Sequence, residues 1–98
     1  MAKLISYDLC RPGVNYKRLE SYIARTFPNR IKVNESCWLV SGSQLTCQQI
    51  QQDLWNLTDM NDKIFVATLS GEAAWKIQSP SNQVVQINSL IKAILQVN

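Results

Sequence analysis

The stretch KLISYDL (residues 3–9) decides the fold that this sequence predicts. Its apolar side chains are nearly continuous, which is typical of a central strand buried on both faces. The stretch carries one carboxylate, Asp8, shortly before the turn-forming residues Arg11-Pro12-Gly13. Such an acid is poorly solvated unless it faces a cleft, caps the next loop or binds a metal. Two interpretations therefore stand: Asp8 is a functional acid, or it accepts hydrogen bonds from the backbone of residues 10–15.

The rest of the chain alternates helical and strand patterns around this first strand. The predicted elements are a helix over 16–27, a hairpin of strands over 30–34 and 37–40, a helix over 47–57, a strand over 63–69, a short edge strand after Gly71 and a C-terminal helix over 84–97. Asn15 is the expected N-cap of the first helix, and Thr46 with Gln49 matches a capping box before the second. The order predicts an α+β, ferredoxin-like βαββαβ antiparallel sheet with its first strand in the centre.

This plan places two helices on one face of the sheet and leaves the other face bare. The C-terminal helix can cover that face or pack on a second subunit, and a homodimer is the simplest cover. We expect residues 1–78 to form the ferredoxin-like domain. Residues 79–98 are expected to form a linker and an amphipathic helix that packs on this domain or on the partner.

The composition narrows the chemistry that the chain can perform. It has 98 residues and no histidine, which excludes Ser-His and Cys-His nucleophiles. Catalysis would have to use carboxylates, lysine, tyrosine or a metal held by oxygen ligands, and Mg²⁺ suits such ligands. The three cysteines contain no CxxC pair, so we expect buried thiols rather than disulfides or a zinc site.

Positive charge is concentrated at the start of the chain. Residues 1–32 hold seven basic and two acidic residues, a net charge of +5, whereas the rest holds three and five, a net charge of −2. A basic half of this kind suits phosphate, but charge alone favours a solvated helix face. The candidate contacts to DNA or RNA phosphates are Arg11, Lys17, Arg18, Arg25 and Arg30.

No apolar run approaches the roughly 20 residues that span a bilayer. Asp8 interrupts the only apolar stretch that could start a signal peptide. We therefore expect a cytoplasmic protein with no membrane partner.

Three stretches together resemble a known family. They are Tyr7-Asp8-Leu9, the hairpin sequence ESCWLV (residues 35–40) and LSGEAAW (residues 69–75). The chain is similar to the small ferredoxin-like CRISPR-associated endonuclease of the spacer-adaptation step, and more similar to its stand-alone relatives, often labelled SinR-like. The resemblance covers about residues 3–77. The VapD-type toxin ribonucleases share the fold and are a more distant comparison.

The resemblance implies a homodimer whose two sheets face one another, so that Asp8 meets its twin across the two-fold axis. Two such carboxylates can hold Mg²⁺, which activates water and offsets charge on a phosphodiester. Ser36 matches a serine on the family's hairpin near the same cleft, and is the second candidate catalytic residue. The implied function is a metal-dependent endonuclease or endoribonuclease.

Two other functions stay open at this point. The chain can be a non-catalytic dimeric adaptor or antitoxin-like module that binds nucleic acid with strong salt dependence. It can also be a protein-interaction domain with no nucleic-acid role, since its net charge is only +3. Assays of cleavage, of the salt dependence of nucleic-acid binding and of captured protein partners distinguish the three functions.

Overall fold

The structure is a computed structural model that describes residues 2–9, 14–58, 62–70, 72–76 and 81–95. The elements along these residues are β1 (Lys3–Asp8), α1 (Val14–Thr26), β2 (Asn29–Asn34), β3 (Cys37–Ser41), α2 (Cys47–Trp55), β4 (Lys63–Thr68) and α3 (Ser81–Leu95). The predicted α+β class is confirmed.

The four strands form one antiparallel sheet in the order β2-β3-β1-β4. β1 lies between β3 and β4, which is the central place that its apolar sequence predicts. Ile5 is opposite Trp38 on one side and Val66 on the other. The sheet and its connections are compatible with a ferredoxin-like fold.

One face of the sheet packs against α1 and α2 and carries the larger core. Side chains alternate along a strand, so Ile5 and Tyr7 of β1 point to this face together. The helices contribute the buried residues Leu19, Tyr22, Ile23, Ile50 and Leu54. α2 begins at the predicted capping box, in which the Gln49 amide donates to Thr46 Oγ1 at 3.1 Å and the Thr46 amide donates to Gln49 Oε1 at 2.8 Å.

A hydrogen bond joins the two helices on this face. The Tyr22 hydroxyl donates to Asp53 Oδ2 at 2.7 Å. Burial raises the pKa of Tyr22 above its ordinary value, and the bond to the Asp53 carboxylate raises it further. Tyr22 therefore stays protonated at neutral pH and keeps donating its hydrogen bond to the Asp53 carboxylate.

The opposite face of the sheet is covered by α3 of the same chain. α3 packs mainly against β2 and β3, and its buried Ile91 and Ile94 form a second core with Ala2 and Leu39. Of the two covers predicted for this face, the structure shows the helix of the same chain, because the apolar stripe of α3 supplies the cover that a second subunit would otherwise supply. No helix in the described parts of the chain is long and apolar enough to cross a membrane.

Three local predictions need correction. α1 begins at Val14, so Asn15 is its second residue and not its N-cap. Residues 72–76 form no strand, so the structure shows no short edge strand in the described part of that stretch, while Ile77 lies outside the described residues. Ser81 and Asn82, predicted as linker, begin α3. Each of these predictions rested on turn-forming, capping or strand-like residues in a short stretch, and such local signals place the boundary of an element only approximately.

Candidate nucleic-acid interface

The solvent side of α1 carries a cluster of cations. Lys17, Ser21 and Arg25 are spaced by four residues, and Arg18 is three residues before Ser21, so the four share one side of the helix. We call these four residues the basic face. The helix turns this side outward because its apolar residues, such as Leu19 and Ile23, are buried against the sheet.

The basic face borders a concavity of about 320 Å³. Leu57, which follows α2, forms its other described wall. Three of the five cations predicted to contact phosphate, Lys17, Arg18 and Arg25, therefore line a single depression. It combines positive charge with an apolar wall, an arrangement that suits an anionic ligand with apolar parts.

Among the residues that the structure describes, the cations of the basic face have no acid as an ion-pair partner. Lys17, Arg18 and Arg25 are exposed, and within the described residues none of them forms an ion pair. Arg25 Nε donates to the Ser21 carbonyl at 3.3 Å, which directs part of its guanidinium along the helix. The Asp53 carboxylate accepts the bond from Tyr22 and forms no ion pair with a cation of this face. The ammonium and guanidinium groups of this face are therefore not engaged by an acid of the described residues and can be approached by an anion from solvent.

The other two residues predicted to contact phosphate, Arg30 and Arg11, do not belong to the basic face. Arg30 Nη1 donates to the Phe27 carbonyl at 3.0 Å, and the half-buried Arg30 does not line the concavity. Its guanidinium satisfies the backbone after α1 rather than pointing to the cluster. Arg11 lies outside the described residues.

Asp8 ends β1 on the other side of the sheet. Alternation from Leu4, which contacts the α3 core, puts Ser6 and Asp8 on the face that carries α3, whereas α1 lies on the opposite face. Asp8 is exposed and pairs across the strands with Lys63 of β4. The structure therefore separates the predicted metal ligand from the basic face. The alternative interpretation was that Asp8 accepts hydrogen bonds from the backbone of residues 10–15. Most of these residues lie outside the part of the chain that the structure describes.

In the described residues, Asp8 is not part of a cluster of potential metal-ligating side chains. Among them, no group of three or more histidine, cysteine, aspartate or glutamate side chains comes together. Asp8 offers a single carboxylate, and the nearest residue in the register is the cation Lys63. A Mg²⁺ ion at Asp8 would complete its coordination with water, with a substrate phosphate or with oxygen ligands of a second copy of the chain.

Ser36 belongs to a cluster of aromatic side chains on the α1 side. The hydroxyls of Tyr16 and Ser36 are 3.2 Å apart, and the rings of Tyr7 and Tyr16 lie with centroids 5.5 Å apart. Trp38 Nε1 donates to the Tyr7 hydroxyl oxygen at 3.0 Å. The Ser36 carbonyl accepts from the Tyr7 amide at 3.0 Å, so its backbone is close to the end of β1, while its side chain faces away from that of Asp8.

Tyr16 stands at an apolar position of α1, with Leu19, Ile23 and Phe27 at spacings of three and four residues, so the sequence indicates a core residue and not this cluster. Burial raises the pKa of Tyr7, and the negative charge of Glu20 raises it further, while the bond from Trp38 lowers it. The Tyr7 hydroxyl is thus a neutral group that can still donate one hydrogen bond. The only signal in the sequence was the recurrence of tyrosine at two positions that face the same core.

A comparison with models of protein families and with curated proteins finds no match for this chain.

Proposed function

We propose that this protein binds nucleic acid through the basic face of α1. The observation that carries the proposal is that Lys17, Arg18 and Arg25 line one concavity and form no ion pair within the described residues. Phosphate contacts from lysine and arginine supply most of the affinity in non-specific nucleic-acid binding.

The geometry favours contacts to the backbone of the nucleic acid. Lys17 and Arg25 are eight residues apart, or about 12 Å along the helix at a rise of about 1.5 Å per residue. That length suits more than one phosphate of a single strand. The cations project from exposed positions and approach phosphates as charges, so we expect little discrimination between base sequences.

The test is a binding titration with labelled single- and double-stranded DNA and RNA at several salt concentrations. We expect Arg18→Ala with Arg25→Ala to lower the affinity by about tenfold or more and to make the salt slope shallower by about 1.4 to 1.8. Circular dichroism confirms that the variant is folded. The matched control is Lys32→Ala with Lys92→Ala, which removes the same charge from exposed positions on β2 and α3.

Two results would argue against a phosphate-binding face. One is equal loss of affinity in the control variant, which would show that only net charge matters. The other is binding that does not change with salt, which would favour a protein-interaction domain.

A second candidate function is a homodimeric, Mg²⁺-dependent endonuclease or endoribonuclease, similar to the CRISPR-associated family. Two observations favour it: Asp8 is exposed at the end of the central strand, and Phe65 is 62% exposed on the same sheet face. The strand order, read from the other edge as β4-β1-β3-β2, supports the ferredoxin-like plan on which the resemblance depends.

In this candidate, a second copy approaches the part of the sheet near β1 and β4 that α3 leaves open. Asp8 from each copy would then hold Mg²⁺, which supplies a Lewis acid for phosphodiester hydrolysis when bound. The chain's own contribution is to hold the carboxylate on a rigid central strand. The hydroxyl of Ser36 is hydrogen-bonded to that of Tyr16. In this candidate, the role of Ser36 is therefore limited to positioning the end of β1.

Asp8→Asn tests this candidate in a cleavage assay with labelled DNA and RNA, with Mg²⁺, Mn²⁺ or EDTA. We expect metal-dependent cutting by the wild type and its loss in the variant, because the amide removes the charge that the metal needs. Glu72→Gln is the matched control, since it neutralises an exposed acid outside the sheet. Cutting by Asp8→Asn at the wild-type rate would exclude Asp8 as a metal ligand. Binding without cutting by either protein would establish the non-catalytic adaptor.

A further inference from the structure

A cleft separates the sheet from the extended segment of residues 72–76. Its volume is about 390 Å³. The sheet contributes Leu4, Val33 and Leu39, and α3 contributes Ile91 and Leu95. We call this space the α3 cleft. Its volume lies within the range of pockets that hold small ligands, and its walls are mostly apolar, as in such pockets.

The segment that forms the outer wall is tied to α3. Trp75 packs on the second core, and its Nε1 donates to Asn88 Oδ1 at 3.0 Å. Ala73 and Ala74 line the cleft beside it, and their small side chains leave its volume unfilled. The cleft therefore exists because the Trp75–Asn88 bond fixes this wall beside α3 while Ala73 and Ala74 are too small to fill the space. It is not a gap left by a missing core side chain.

The polar groups of the cleft are few and differ in character. Lys76 is exposed and is the only charged side chain among the described residues that line it, and Asn34 adds an amide. Cys37 lies in the wall, and burial raises the pKa of its thiol, in agreement with partly dehydrated surroundings. The cleft thus has an apolar interior and one positive charge.

We propose that the α3 cleft binds a small amphipathic anion, with its apolar chain between Leu4, Trp75 and Leu95 and its carboxylate near Lys76. The single cation complements one negative group, and the apolar walls complement a hydrocarbon chain. A small molecule fits better than a polypeptide, because sheet, helix and tied segment of the same chain enclose the space on three sides. This site is independent of the nucleic-acid face on α1.

Calorimetric titration of the full chain with decanoate tests the proposal, with decanol as the neutral analogue. We expect one saturable site for decanoate with a dissociation constant below about 1 mM. In nuclear magnetic resonance spectra, the indole N–H signal of Trp75 should shift, while that of Trp55, which is 46% exposed on α2, should not.

Two variants with matched controls locate the site. Ala74→Trp fills the cleft and should weaken decanoate binding by about tenfold or more, whereas Ala24→Trp on the exposed side of α1 should not. Lys76→Ala should weaken decanoate by about threefold and leave decanol unchanged, whereas Lys92→Ala should affect neither. Both alanines and both lysines are exposed, so the variants are expected to fold.

Three results would overturn the proposal. They are the absence of saturable decanoate binding up to about 1 mM, binding that Ala74→Trp leaves intact, and a heat that comes only from dissociation of a dimer. Sedimentation with and without decanoate identifies the third result, which would make a second copy the occupant of the cleft.

Discussion

Ile91→Asp is expected to lower the free energy of unfolding by about 4 kcal/mol or more and to detach α3 from the sheet. Ile91 is 1% exposed and lies in the core between α3 and the sheet. The substitution removes a buried hydrocarbon side chain and places a carboxylate among the apolar side chains of the second core. Since α3 covers much of one sheet face, its detachment should expose Leu39 and Leu4 and cause dye binding and self-association.

Leu90→Asp is the matched control for this prediction. Leu90 precedes Ile91 on the same helix but is 40% exposed, so the same chemical change there should cost much less. Urea unfolding and sedimentation of both variants provide the comparison. Equal stability of the two variants would mean that α3 does not depend on Ile91 for its place on the sheet.

Phe27→Ala is expected to lower the free energy of unfolding by about 3 to 5 kcal/mol. Phe27 is 1% exposed, follows α1 and packs edge-on against Tyr22, with ring centroids 6.4 Å apart and an interplanar angle of 78°. Its removal leaves a cavity between α1 and the sheet.

Phe65→Ala is the control, because it is the same change at the other phenylalanine of the chain. Phe65 is 62% exposed on the edge strand β4, so the loss should stay below about 1 kcal/mol. Urea unfolding with fluorescence detection measures both. If the two variants lost the same stability, the core around Phe27 would not be the packed centre described above.

The coverage of the sheet changes how a homodimer has to be understood. A second copy is not needed to bury the face that carries Leu4 and Leu39, because α3 already does so. What remains open is the region near Phe65 and Asp8. A dimer through that region would bring two Asp8 side chains together only if it forms beside α3, and the dimer stays a prediction.

The candidate site was partly predictable. The spacing of Lys17, Arg18 and Arg25 on α1 follows from helical periodicity, so their common face could be read from the sequence. The concavity beside Leu57 could not, because it depends on where α2 ends relative to α1. Nor could the sequence show that Arg30 would bond to the Phe27 carbonyl.

The sequence by itself determined the elements whose signals are local. The apolar run of β1 made it a central strand, Thr46 and Gln49 started α2, and the i, i+3 and i+4 spacing of α1 divided it into apolar and basic sides. Each of these signals lies within a few residues, and the same residues form the contacts that it predicts.

Only the tertiary structure decided which surfaces meet. It placed α3 on the open face of the sheet, tied Trp75 to Asn88, and put Asp8 and the basic face on opposite sides. An apolar stripe specifies that a face is buried but not which partner buries it, because many partners offer the same hydrophobic gain. That choice depends on contacts between residues far apart in the chain, and such contacts leave no pattern in the local sequence.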